Sequence, residues 1–446
     1  MAWSLRSKGL TGLVFIATLG TGCETLRGSA QPQQPNWFER PSQSIHVVYR
    51  TPLVAPTRHH GEAYERGQIE IDPAQRRLFV GSSDHGLYCL DARDGSPLWR
   101  FETTGHVQSS PLYDAAENVV YFGADDGALY KLDASNGELR FRFATNSEVS
   151  ERPVLSNGKV YFVNANDTVV AIDARSGKML WNQHRAPIPG MQLAGHSGLL
   201  VWGGRVYVGF SDGMAIAYDA TTGAERWQPV DLAAEAEQSA GNAPDHFDVD
   251  TTPVADTIDG SPVVYVASAQ GGVFALDAES GTQTWHNPSV IGSTQLLLWD
   301  EPKRKTGDVD TGAVEASENG QSVHSRKLLI AATGASGLWA LEPSDGSVVW
   351  RSRLPDGGVA GPVPLAGALL VSASQLGLYL VSPSNGRVID GIHIVEGVSA
   401  LPSGRGNHGF VLTNTGDLLA VHVAAPRDAT DDGVSLFGSS YQRSHW

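Results

Sequence analysis

Residues 90–99 read Leu90-Asp91-Ala92-Arg93-Asp94-Gly95-Ser96-Pro97-Leu98-Trp99, and this stretch decides the fold because the chain repeats it. An apolar run ends in Asp, three small or polar residues lead to Gly, and three more lead to an aromatic ring. The same spacing recurs at Asp133, Gly137 and Phe141, then at Asp173, Gly177 and Trp181. It returns at Asp219, Gly223 and Trp227, at Asp277, Gly281 and Trp285, and at Glu342, Gly346 and Trp350. A seventh copy is worn to Ser382, Gly386 and Asp390. Asp and Gly suit a tight turn, and a large ring on the strand that follows suits packing against a neighbouring unit. Burying one Trp removes up to ~250 Å² from water, an upper bound of ~6 kcal/mol.

Each copy is preceded by another strand and a turn, as at Asp126-Gly127, Asp212-Gly213 and Gly271-Gly272, which read as two-residue hairpins. Further upstream a Pro and an aliphatic residue open the copy, at Pro111-Leu112, Pro153-Val154, Pro253-Val254 and Pro362-Val363. Four strands in about forty residues make a propeller blade. Second strands beginning near Leu78, Val119, Val160, Val206, Val263, Leu328, Leu369 and Phe410 number eight. The last copy has no Asp-Gly-aromatic unit, and the β-branched run Ile45 to Tyr49 can supply its outer strand. The expected fold is therefore all-β: an eight-bladed propeller of four-stranded antiparallel blades over residues 44–423, closed by an N-terminal strand. Two insertions, 229–247 and 300–326, interrupt the spacing, and the tail 424–446 is expected to be unstructured. The tail's last aromatic, Trp446, does not follow an alternating run and gives no membrane strand.

With 50 Gly, 24 Pro and 11 Trp against 4 Met, the composition suits short strands and tight turns. A net charge of −16 argues against a nucleic-acid surface. Residues 1–22 read as a signal peptide, with Arg6 and Lys8 before an apolar core from Leu10 to Leu19. That core is too short for a spanning helix. It runs into Gly20, Thr21, Gly22 and Cys23, which reads as a lipobox with Gly20 in the place of the usual aliphatic residue. Acylation of Cys23 would anchor the chain firmly. Glu24, where Asp marks inner-membrane retention, directs the expectation to the periplasmic side of the outer membrane. Residues 23–43 read as a polar tether. The other cysteine, Cys89, lies in a strand and reads as a small buried apolar residue.

The repeat resembles the quinoprotein (PQQ) propeller repeat, and the resemblance covers nearly the whole mature chain. Two groups carry it: PQQ-dependent alcohol and glucose dehydrogenases, and the BamB family of envelope lipoproteins in the β-barrel assembly machinery. The alcohol dehydrogenases carry two adjacent cysteines over the cofactor, which this sequence lacks, and no Glu, Asn and Asp constellation for calcium stands out. The run Asp248-Val249-Asp250-Thr251-Thr252-Pro253-Val254 resembles a BamB signature segment. The resemblance implies that Asp248 and Asp250 belong to a surface meeting the periplasmic domains of the barrel-inserting subunit, BamA. A second part of that surface is implied at Met191 to Ser197, where Met191 and Leu193 keep the apolar character and Ala194 replaces a basic residue. Two carboxylates one residue apart would share a strand face and suit a Lys or Arg partner; a turn-capping role is the bland alternative.

Other chemistry is thin. His59 and His60 are neighbours that would point to opposite faces, and Asp84-His85 reads as a turn. Asp308-Val309-Asp310-Thr311 repeats the signature only in part. There is no Gly-x-Ser-x-Gly elbow, phosphate loop or paired-cysteine zinc motif. The expectation is a non-catalytic scaffold with no cofactor and no metal, binding a BamA-like insertase and unfolded outer-membrane proteins. The alternatives are a periplasmic PQQ-dependent oxidoreductase and an envelope adaptor with another protein partner.

Overall fold

The computed structural model describes residues 42–53, 65–72, 74, 76–186, 197–234, 248, 249, 251–301, 326–334, 336–354 and 359–424. They form eight four-stranded antiparallel sheets. Blade one consists of Glu70–Asp72, Arg77–Gly81, Gly86–Asp91 and Pro97–Glu102, innermost first. Blades two to seven repeat that order along the chain. Blade eight is built from Ser403–Arg405, His408–Leu412 and Asp417–Val423, with the N-terminal strand Ile45–Pro52 on its outside. The ring thus closes as the repeats imply.

Burial follows position in the blade. In blade two the second strand, Val119–Ala124, is buried throughout, and so is the third, Ala128–Asp133, up to its last residue. Both faces of these strands are covered by adjacent blades, so the second reads as an unbroken apolar run and the third is interrupted before its last residue only by Lys131, whose ammonium pairs with Glu117. The outer strand, Leu139–Ala144, alternates exposed and half-buried residues.

The repeated Asp, Gly and aromatic now have separate tasks. The amide of Gly137 donates to the Asp133 carbonyl (2.9 Å), and the Asp133 carboxylate accepts from the Ser135 amide (2.8 Å). Gly137 has a φ of +75°, and a Cβ there would lie 2.8 Å from the Trp99 ring of blade one. Each turn glycine is therefore the seat for the preceding blade's ring, which also excludes a side chain there. The Trp indole N–H donates to a carbonyl of the next blade: Trp99 to Ala134 (3.1 Å), Trp181 to Ala220 (3.3 Å), Trp227 to Ala278 (3.2 Å), Trp285 to Pro343 (2.9 Å) and Trp350 to Pro383 (2.9 Å). At the closure, Tyr49 of the N-terminal strand lies against Gly95 and donates its hydroxyl to Ala92 (3.1 Å).

Several local expectations are corrected. The connections at Asp126-Gly127, Asp212-Gly213 and Gly271-Gly272 are three-residue turns, closed for instance by the Ala124–Ala128 pair, with the glycine in the left-handed region. Trp227 stands outside any strand; the outer strand of blade four is Val230–Asp231, inside the stretch taken as an insertion. Pro362 lies within the strand Val359–Leu365, at a break in register between Ala360 and Val363, and does not open it. Cys89 is buried in blade one, and burial pushes its thiol up to about 12.

Six blades share a feature that the spacing conceals. Where the outer strand meets the third strand, one residue just before the aromatic position has no partner: Leu98, Arg140, Leu180, Thr284, Val349 and Ile389. Val48 on the closing strand is the seventh such bulge.

Blade eight also carries three histidines in cross-strand register, His46 with His422 and His422 with His408. Burial, then the neighbouring His422, holds His408 down at about 4; burial and His46 lower His422. The folded ring holds His408 and His422 neutral while the unfolded chain protonates near pH 6.5. Their contribution is full above that value and is lost as pH falls toward about 4. His408→Gln is expected to flatten the fall in urea midpoint between pH 6.5 and 4; an unchanged slope would remove the histidines from the cause. The turn aspartates act lower. Asp91, Asp133 and Asp219 are held down by Arg93, Arg140 and Arg226, and Asp173 and Asp277 by the hydroxyls of Ser176 and Ser280.

Candidate interaction surface

In an up-and-down blade, the linkers between blades and the second-to-third turns lie on one face of the ring. First-to-second hairpins and Asp-Gly turns lie on the other. The linkers themselves repeat. His106-Val107-Gln108-Ser109-Ser110-Pro111 leads into blade two, Glu148-Val149-Ser150-Glu151-Arg152-Pro153 into blade three, and the run from Asp248 to Pro253 into blade five.

Their geometry is shared. The buried valines Val107, Val149 and Val249 donate their amides to Ser82, Ala124 and Phe210 of the preceding blade (3.0, 3.2 and 3.2 Å). The carbonyls of His106, Glu148 and Asp248 accept from Asp125, Ala165 and Ala269 (2.9, 2.8 and 2.9 Å). Ser109 and Thr251 each exchange two hydrogen bonds with the second strand of their own blade, at Gly123 and Ala267. The Asp248–Pro253 run is therefore a repeat element as well as a local motif. Val249 and Thr251 hold the linker, while the positions of Asp248 and Asp250 vary from copy to copy and are open to specialisation.

Asp248 lies in the linker, six residues ahead of the strand Val254–Ile258, and is only 4% exposed. Asp248 therefore lies on no strand face. Asp250, Met191 and Leu193 fall outside the described residues, as do Cys23, His59, His60 and Asp308 to Thr311. The described ends of their segments do meet. The Ser197 hydroxyl, leading into blade four, donates to the Thr251 carbonyl (2.9 Å), so the two linkers expected to form one surface touch. The described ends of the second insertion meet at a first-to-second hairpin on the opposite face, where the Glu301 amide donates to the Arg326 carbonyl (2.9 Å).

The linker face of blades one to five is acidic. Its turns and linkers carry Glu65, Asp84, Asp125, Asp126, Glu148, Asp167, Asp212 and Asp248, against Arg66, Arg152 and Arg185. Buried Glu65 accepts from the Ser83 amide (3.0 Å) and from the hydroxyls of Ser82 and Ser83, and burial raises its pKa. Burial first, then Glu148, raises Asp125, whose carboxylate lies 3.8 Å from His106. Arg185 pairs with Asp212 beside the linker to blade four. A face of this sign offers sites for Lys and Arg.

A cavity of about 270 Å³ opens between the inner strands of blades one, seven and eight, lined by Gln68, Glu70, Arg152, Ser403 and Arg405 among others. Glu70 is its single carboxylate, and both oxygens are engaged by Arg152 (2.8 and 3.0 Å). The Tyr113 amide adds a third bond (3.1 Å). This donor set does not fit calcium beside a quinone, which needs several free oxygen ligands. Among the described residues no three His, Cys, Asp or Glu converge on a metal position.

The model of the family described as outer membrane protein assembly factor BamB matches residues 66–120 and 114–303. The outer membrane protein assembly factor BamB of Legionella pneumophila is 26% identical over 237 residues, covering 53% of each chain. A quinohemoprotein alcohol dehydrogenase of Pseudomonas putida, ADH-IIG, is 31% identical over 154 residues, covering 32% of this chain and 20% of the enzyme. Among solved structures, BamB from Moraxella catarrhalis superposes with a TM-score of 0.63 at 17% identity, covering 85% of this chain and 99% of that one. The chain spans about half the length of the Legionella relative and a fifth of the dehydrogenase.

Proposed function

Since the chain belongs to the BamB family, we propose that it is a non-catalytic scaffold of outer-membrane protein assembly, docking a BamA-like insertase on its acidic linker face. The observation that carries this reading is the contact between Ser197 and Thr251. It joins the linker of Met191 and Leu193 to the linker of Asp248 and Asp250 on a face of matching sign. In this reading Asp250, Met191 and Leu193 meet the partner, while buried Asp248 orients the linker. Acylated Cys23 holds the ring at the periplasmic side of the outer membrane, where it keeps unfolded barrel proteins close to the insertase.

A rigid ring suits docking because little backbone freedom is lost on association. The quinoprotein likeness accounts for the fold, and the engaged Glu70 supports a scaffold over an oxidoreductase. The test is affinity capture from detergent-solubilised envelopes. The wild type is expected in the membrane fraction with a BamA-like insertase bound and with acyl chains visible in its intact mass, which Cys23→Ala should lack. Asp250→Arg combined with Leu193→Asp should lower capture about tenfold or more, as expected for charge reversal at a docking patch. Asp248 is spared because arginine at a buried site threatens the fold. Equal capture by wild type and variant, with matching thermal unfolding, would sink the proposed patch.

A further inference from the structure

The bulge before each aromatic position turns consecutive side chains outward at the rim. Its occupants differ around the ring. On four consecutive blades the two positions before the aromatic ring carry exposed apolar side chains: Val47 and Val48 on blade eight, Leu98 on blade one, Leu139 beside the bulge residue Arg140 on blade two, Met179 and Leu180 on blade three. Six of the nine exposed large apolar residues among the described residues lie on this arc, each 46–55% exposed. The corresponding positions on blades four and five are Glu225, Arg226, Gln283 and Thr284, whereas blade six carries exposed Val348 with half-buried Val349 and blade seven half-buried Val388 and Ile389.

Arginine lines the same arc. Its four outer strands hold Arg50, Arg100, Arg140 and Arg142 against one acid, Glu102, in a chain of net charge −16, with Arg100 and Arg142 reaching Asp84 and Asp126 at the edge of the linker face. These arginines sit in ion pairs yet keep 28–52% of their side-chain surface in solvent. The arc also begins where the chain enters the ring, at Ser42 to Ile45.

We propose that the rim of blades eight, one, two and three rests on an anionic lipid surface. Apolar side chains interleaved with arginine suit the headgroup boundary, where burial of apolar area and attraction to anionic lipid act together. An added protein strand fits less well, because the bulge breaks the edge ladder at these residues. The proposal draws on the lipid-anchor reading only for the nearness of the membrane. The acidic linker face and the polar rim of blades four and five remain clear of the lipid and open to a protein partner.

The experiment uses the full chain carrying Cys23→Ala, sedimented with vesicles of phosphatidylethanolamine and phosphatidylglycerol. Co-sedimentation that weakens with salt and falls in vesicles of phosphatidylcholine alone is expected. Leu98→Asp, Leu139→Asp, Met179→Asp and Leu180→Asp together should reduce binding about tenfold or more, with thermal unfolding unchanged. Gln283→Asp with Thr284→Asp should leave binding unchanged. If the protein does not sediment, or the four-residue variant binds like its parent, the rim is not a lipid surface. Loss of capture of an unfolded barrel protein without any vesicle binding would assign the arc to a polypeptide and overturn the proposal. Insertase capture is read separately, so failure there leaves this result standing.

Discussion

Asp390→Ala is expected to lower the unfolding free energy by about 3–5 kcal/mol and to free the N-terminal strand from blade eight. Asp390 occupies the place where other blades carry their aromatic ring. Its carboxylate is 8% exposed and accepts from the amides of Ser44 (2.6 Å), Gln43 (3.0 Å) and Ile45 (3.3 Å), and from the Ser42 hydroxyl (2.6 Å). Hydrogen bonds to a charged acceptor contribute ~1.5–3 kcal/mol each, and their loss strands donors that folding has already dried. Opposing this, the alanine is spared the cost of burying a carboxylate, so the sum falls below a simple total. Hydrogen exchange reads the local part: amides of residues 44–51 should lose protection first. A variant with the parent's urea midpoint and unchanged protection there would show that the strand pairing alone closes the ring.

The second large effect is expected at Arg77, which is 7% exposed. Its guanidinium binds Asp72 through Nε (2.9 Å) and Nη2 (2.7 Å), donates to the Ala134 carbonyl of blade two (2.5 Å) and to Asn118 (2.7 Å), and lies over the rings of Phe79 and Tyr113. The reason for a buried arginine is visible by comparison. In blades two to five a tyrosine on the second strand donates its hydroxyl to the next blade, as Tyr121 does to Ala174 (3.1 Å) and Tyr161 to Ala220 (2.8 Å). Blade one has Phe79 at that position, without a hydroxyl, and Arg77 makes the bond. Arg77→Met leaves the fully buried Asp72 carboxylate without its cation, a loss of about 3–5 kcal/mol. Adding Asp72→Leu should recover part of that loss, since an apolar pair of similar volume can be nearly neutral. If the double variant is less stable than Arg77→Met, the ion pair is not the source.

These two residues mark the boundary of what is legible in the chain. The Asp-to-aromatic unit specifies turn, strand and neighbour contact through local chemistry, so blade number and closure can be read directly. The substitutes cannot. Nothing in the spacing tells that Tyr49 serves blade one as Trp99 serves blade two, because the partner glycine is chosen by the ring closure. The bulges are hidden for a related reason: three residues between Gly and Trp look the same whether or not one of them lacks a cross-strand partner. The Asp248–Pro253 run resembles a family signature, yet its valine and hydroxyl recur at 107 and 109, where the copies are too degenerate to align by eye. Only the shared hydrogen bonds of Val107, Val149 and Val249 separate the structural positions from the variable ones.

The closing strand also sets an order of events in time. Ser42 and Asp390 are 348 residues apart along the chain, and joining such a loop unaided costs roughly 5 kcal/mol of chain entropy. Blades one to seven escape that cost, because each strand pairs with one made moments earlier. As they stack, their curvature carries the two ends together and shortens the effective loop. The strand synthesised first is therefore satisfied last. A chain synthesised N-terminus first holds Ile45 to Pro52 unpaired until Asp417–Val423 has been made. Its slowest native step is then expected to be this one registration, and its most vulnerable intermediate an open ring whose first and last strands have yet to meet.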